Sequence, residues 1–146
     1  MRVVSPSGAA QTVTEAPLAV ADRSHLELDL AAVPSAIGAA RHRTAAWLEG
    51  HGVAEEDVED LKLMVSEAAS NAVRHAYPDG PGSLIVTLEL RDGEVWLQVA
   101  DHGEWRPQEA SRPGWGLCLL DQLSERLQVE RAPGGTVVRA TRRLSV

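Results

Sequence analysis

Glu67, Asn71 and His75 recur every four residues, so on a helix they form one stripe. A carboxylate and an amide one turn apart can point together into a groove between the helix and whatever it packs on, and the amide oxygen can be offered to a hard cation such as Mg²⁺. They can also be an ordinary surface pair, with Glu67 in a small ion-pair cluster with Arg74 or His75 worth a few tenths of a kcal/mol. A metal site from Glu67 and His75 finds little support, because the two are two turns apart and the chain shows no further ligand cluster.

Two other stretches carry residues of the same kind. Asp101 and Gly103 fall where an alternating apolar segment gives way to patternless sequence. Gly114 and Gly116 precede Leu117, at the start of a short helical pattern. Taken singly, Asp101 reads as a turn residue and the glycine pair as a tight helix entry. Together they are complementary. Glycines beside a helix start expose backbone N–H groups to an anion, a carboxylate at a strand end can accept from the exocyclic amine of a base, and Gly103 permits close approach of a flat ring. The set describes a purine-nucleotide triphosphate site. It lacks the lysine of a P-loop, since no Gly-x-x-x-x-Gly-Lys occurs.

The elements that must position these groups follow from periodicity. Around the Glu67 stripe, Val58, Leu61, Val65, Ala68, Ala72 and Ala76 recur at spacings of three and four, which predicts a core-facing helix over 55–76. The acidic cluster Glu55, Glu56 and Asp57 sits at its positive end. Before it, residues 24–30 alternate as a half-buried strand, and a helix starting at Pro34 or Ser35 carries Ile37, Ala40, Thr44, Trp47 and Leu48 inward and stops at 50–52. After it, 78–82 form a loop, 83–91 and 94–100 alternate as strands, and Asp92-Gly93 between them is a two-residue hairpin signal. A helix carrying Leu117, Leu120 and Leu123 precedes two last strands, 126–131 and 136–143. Residues 1–22 mix Ser, Pro, Gly, Thr and Ala without period and read as a flexible arm before one domain over 23–146. The expected fold is α+β: a two-layer α/β sandwich with a mostly antiparallel sheet and helices on one face.

Composition excludes several classes. The chain has 146 residues, enough for one two-layer core. Phe is absent, so the core must be aliphatic. A net charge of −7 argues against direct nucleic-acid binding. No apolar run approaches the roughly 20 residues that span a bilayer. The single cysteine, Cys118, excludes an intramolecular disulfide and fits a reducing cytoplasm. Its apolar surroundings suggest a buried small residue rather than a catalytic thiol.

With these motifs in order, the sequence resembles the GHKL ATP-binding superfamily (gyrase, Hsp90, histidine kinases), and more closely its small bacterial branch of anti-sigma factor serine/threonine kinases. Residues 66–76 resemble that branch's N-box, 99–103 its first glycine box, 114–117 its second, and Gly135-Thr136 its closing Gly-Thr. The resemblance spans about 25–143 and implies a Bergerat-type ATP-binding fold. It implies Glu67 as general base, Asn71 as the Mg²⁺ ligand, Asp101 on the adenine amine with help from Thr136, Gly103 beside the base, and Gly114, Gly116 and Leu117 around the phosphates. Arg74, Arg106 and Arg112 are candidate phosphate contacts, or solvated surface arginines. The implied cofactors are ATP and Mg²⁺. The implied partners are a sigma factor, an anti-anti-sigma factor and a second copy of the chain, as a homodimer. Two departures stand out: Trp105 occupies a position where the family commonly has glycine, and the segment between Gly103 and Gly114 is short. Trp105 either covers the base by stacking or packs on the sheet. The alternative function is a non-catalytic, protein-binding regulator on the same fold with a weak or vestigial nucleotide site.

Overall fold

The computed structural model describes residues 24–77, 82–103 and 117–145, excepting the His75 side chain. Strand β1 (His25–Ala31) leads to helices α1 (Pro34–Gly50) and α2 (Glu55–His75), then to strands β2 (Ser83–Arg91) and β3 (Glu94–Asp101). Helix α3 (Leu117–Leu123) and strands β4 (Arg126–Ala132) and β5 (Gly135–Arg143) complete it. The expected arm over 1–22, the loop tip at 78–81, Trp105, Arg106, Arg112, Gly114 and Gly116 lie outside the described residues.

All strand pairs are antiparallel, in the order β1-β2-β3-β5-β4. The last strand turns back between β3 and β4, which places Thr136 directly opposite Asp101. Across the sheet, Leu28, Val86, Val99, Val138 and Val129 share one row of the register. Strand alternation sends these residues to a single face, and the helices cover it.

Local chemistry explains where each element stops. Pro34 opens α1 with its φ already helical. Its end is a Schellman closure: Gly52, at φ 75°, donates to Glu49 O at 3.0 Å, and Val53 donates to Leu48 O at 3.2 Å. Asp92 and Gly93 hold φ of 53° and 75°, the two positive values that a type I′ hairpin requires.

The core is aliphatic, as the lack of Phe requires. Its fully buried large side chains are Leu, Val and Met, and the predicted α2 stripe from Val58 to Ala76 is buried throughout. Burying each Val or Leu fully contributes about 1.5–3 kcal/mol. One expectation is corrected. Cys118 is exposed, because the short α3 turns Leu120 inward and Cys118 is two residues from it. Asp57, within the acidic cluster, is buried. Its side chain is 1% exposed and takes Arg142 Nη2 at 3.1 Å and the Ser145 N–H at 2.8 Å. Arg142 also reaches Asp60 at 2.7 Å and donates to Leu123 O at 2.9 Å. One guanidinium therefore ties the start of α2, the end of α3 and the end of β5 together.

Among the described residues, no helix covers the other face of the sheet. There a groove of about 620 Å³ is lined by Thr87, Trp96, Gln98, Arg126 and Arg139 among others. Its arginines are internally compensated: Arg139 pairs with Glu130 and Gln98, and Arg126 pairs with Glu94 and approaches Trp96. None of the described residues that the sequence singles out for chemistry lines it.

Candidate functional site

The polar stripe of Glu67 and Asn71 on α2 is buried unevenly. Glu67 is half-buried, and Asn71, one turn on, is fully buried. Among the described residues, neither Asn71 Oδ1 nor Asn71 Nδ2 has a hydrogen-bond partner. A buried amide left unpaired costs about 1–3 kcal/mol, and native proteins hold few such groups. Glu67 makes no ion pair among the described residues. Arg74 instead donates to Ser70 Oγ at 3.0 Å and stays exposed. The surface-pair reading of Glu67 and Asn71 therefore does not describe Asn71.

At the sheet end, Asp101 is 4% exposed and Thr136 is 2% exposed. Asp101 Oδ1 accepts from Gly103 N–H at 3.0 Å and from Thr136 N–H at 3.2 Å. The carboxylate is thus oriented by backbone donors from both its own strand end and the facing strand. Two glycines make this approach possible. A Cβ on Gly135, whose φ is +146°, would overlap the Asp101 carbonyl oxygen. A Cβ on Gly103 would overlap the carbonyl oxygen of Ala76. Gly103 thereby brings the Asp101 turn against the C-terminal end of α2. Asn71 lies five residues before Ala76, about 7.5 Å along the helix axis.

Asn71, Asp101, Gly103 and Thr136 are therefore gathered at one end of the helix–sheet interface, with Glu67 one turn further along α2. Leu117, at the start of α3, is half-buried against the core. Gly114 and Gly116 lie outside the described residues. No cluster of three or more His, Cys, Asp and Glu side chains suited to a metal occurs among the described residues. The donor set fits Mg²⁺ only as an ion held by one amide oxygen, with phosphate and water completing its six oxygens. The unpartnered Asn71 amide fits that role.

One residue here was missed at the sequence level. Tyr77 donates to Ser83 O at 2.7 Å and accepts from His102 N–H at 2.7 Å. Its signal was available: it is the only tyrosine of the chain, set directly after the last buried position of the α2 stripe.

The chain matches the family model described as "Histidine kinase-like ATPase domain" over residues 30–142. It is 31% identical over 104 residues to the serine-protein kinase RsbW of Bacillus thuringiensis (strain Al Hakam), covering 60% of this chain and 65% of that protein. It thus spans about 65% of the length of the curated relatives it matches. Among solved structures it is similar to the RsbU and RsbW domains of a Mycobacterium tuberculosis protein, with a TM-score of 0.69 and 28% identity, covering 84% of this chain and 33% of that one. A blue-light activated histidine kinase of Erythrobacter litoralis is similar with a TM-score of 0.55 and 27% identity, over 64% of this chain and 32% of that one.

Proposed function

Because the chain belongs to the histidine kinase-like ATPase domain family, we propose that it binds Mg·ATP and acts as an anti-sigma factor-like serine/threonine protein kinase. Its substrate is an anti-anti-sigma protein, and its second activity is to sequester a sigma factor. The observation that carries the ATP-site reading is the fully buried Asn71 amide, unpartnered at both ends and one turn from Glu67. The similarity to proteins named serine-protein kinase supports the reaction class.

The residues divide the work as follows. The Asp101 carboxylate, fixed by the Gly103 and Thr136 N–H groups, accepts from the adenine amine, with Thr136 assisting and Gly103 beside the base. Asn71 Oδ1 would hold Mg²⁺, which would supply neutralisation of the phosphate charge. Gly114, Gly116 and Leu117 surround the phosphates. Glu67 takes the proton of a serine hydroxyl as that oxygen bonds to the γ-phosphorus and the bond to the ADP oxygen breaks. Phosphoryl transfer rests mainly on positioning and charge stabilisation, so few groups suffice.

No helix among the described residues is long and apolar enough to cross a membrane; the proposed site of action is the cytoplasm, where the implied sigma-factor partners act. Residues 23–146 are proposed as the working domain, pairing as a homodimer. The test is transfer of labelled phosphate from Mg·ATP to serine of candidate anti-anti-sigma proteins. The proposal expects phosphoserine that disappears in Glu67→Ala while ATP binding remains. ATP binding with no transfer to any candidate would replace the kinase with the non-catalytic regulator.

A further inference from the structure

Tyr77 stands two residues beyond the end of α2 and is half-buried. Its hydroxyl uses both of its roles, donating to Ser83 O and accepting from His102 N–H, each at 2.7 Å. A phenol has one proton to give, so both bonds are made by a single oriented group. The β2–β3 register runs up to Leu84 opposite Asp101. The next pair would be Ser83 and His102. In place of a direct rung, the tyrosine hydroxyl stands between that carbonyl and that N–H. The ladder is wedged open at the strand end where Asp101 sits, and the wedge is supplied by the segment that directly follows the helix carrying Glu67 and Asn71.

The packing around the wedge leaves it little freedom. A Cβ on Gly82 would overlap the Tyr77 ring, and a Cβ on Gly103 would overlap the Ala76 carbonyl. The ring therefore lies directly on the backbone at Gly82, and the turn after Asp101 lies directly on the backbone preceding Tyr77. His102 is the residue between Asp101, which accepts from Gly103 N–H, and Gly103 itself. Fixing the His102 N–H fixes the turn whose next N–H orients the carboxylate.

We infer that Tyr77 is a positioning residue for base recognition: its hydroxyl, bridging Ser83 and His102, sets the Asp101–Gly103 turn so that the carboxylate meets the exocyclic amine of a purine. The inference rests on the nucleotide reading of the site. It separates the two ends of the ligand, because Tyr77 acts on the base end and leaves the Asn71 end untouched.

The experiment uses the full chain and Tyr77→Phe, which keeps the ring over Gly82 and removes only the hydroxyl. Affinity is measured by calorimetry for Mg·ATP and for the Mg²⁺ complex of purine riboside triphosphate, which lacks the exocyclic amine. Wild type is expected to prefer ATP. In Tyr77→Phe the affinity for ATP falls about tenfold, as expected for loss of roughly one positioned hydrogen bond, while the amine-free nucleotide binds as before. Amide exchange at His102, read in the same variant without nucleotide, is expected to accelerate. Equal losses for both nucleotides, or no loss for either, would overturn the inference and leave the site reading standing. Wild type that binds neither nucleotide, or does not distinguish them, would overturn the base-recognition reading and the inference with it.

Discussion

Replacing Asn71 by alanine separates a binding amide from a structural one. An ordinary buried asparagine that makes its hydrogen bonds costs stability when removed, about 1–3 kcal/mol for the partners left unpaired. Asn71 has no such partners among the described residues. Removing it relieves a desolvation penalty of about 1–3 kcal/mol and gains up to about 0.7 kcal/mol of helix propensity. Against this stands the lost packing of a small side chain, about 1–2 kcal/mol by analogy with other truncations in cores. These contributions nearly cancel, so Asn71→Ala should unfold within about 1 kcal/mol of wild type without nucleotide. A 1 kcal/mol change moves Tm by roughly 4 °C for a domain of this size. The same substitution should weaken Mg·ATP binding at least about tenfold, or about 1.4 kcal/mol. Thermal unfolding by calorimetry and titration with Mg·ATP measure the two effects on one preparation. A loss above about 2 kcal/mol in the absence of nucleotide, with ATP affinity unchanged, would refute the reasoning, because Asn71 would then be holding the core.

Two further substitutions test the scaffold. Arg142→Ala leaves the Asp57 carboxylate, 1% exposed, without its cation, and breaking such a buried pair costs about 3–5 kcal/mol; denaturant unfolding should show most of that loss, and a change below about 1 kcal/mol would show that Ser145 alone satisfies Asp57. Gly135→Ala places a methyl against the Asp101 carbonyl at a φ of +146°, so it should destabilise by about 1–3 kcal/mol and weaken nucleotide binding together, read by melting with and without Mg·ATP.

The legible parts of this molecule are those set by local periodicity. The stripe from Val58 to Ala76 announced α2 and its buried face, and Asp92-Gly93 announced the hairpin with both φ values positive. Asn71 was legible as a polar residue beside that stripe, though not as a fully buried one. Its burial comes from the elements packed against α2, which no helical pattern encodes. The Asp57–Arg142 pair joins residues 85 positions apart. Asp57 reads locally as a helix-dipole residue, and only the return of β5 to the start of α2 gives it a cation. Cys118 fails in the opposite sense. A run of Leu and Cys looks buried, yet a helix of seven residues has one inward face, and Leu120 occupies it. Tyr77 was visible as an isolated aromatic, but its two partners belong to strand ends brought together by the sheet.

The central claim is that this chain carries a nucleotide site built on Asn71 and Asp101. Calorimetric titration of the purified protein with ATP and Mg²⁺, alongside Asp101→Asn, tests it most directly. The account predicts saturable binding tighter than about 1 mM, or about −4.1 kcal/mol, that Asp101→Asn abolishes while remaining folded. No heat and no rise in Tm at millimolar ATP would contradict it.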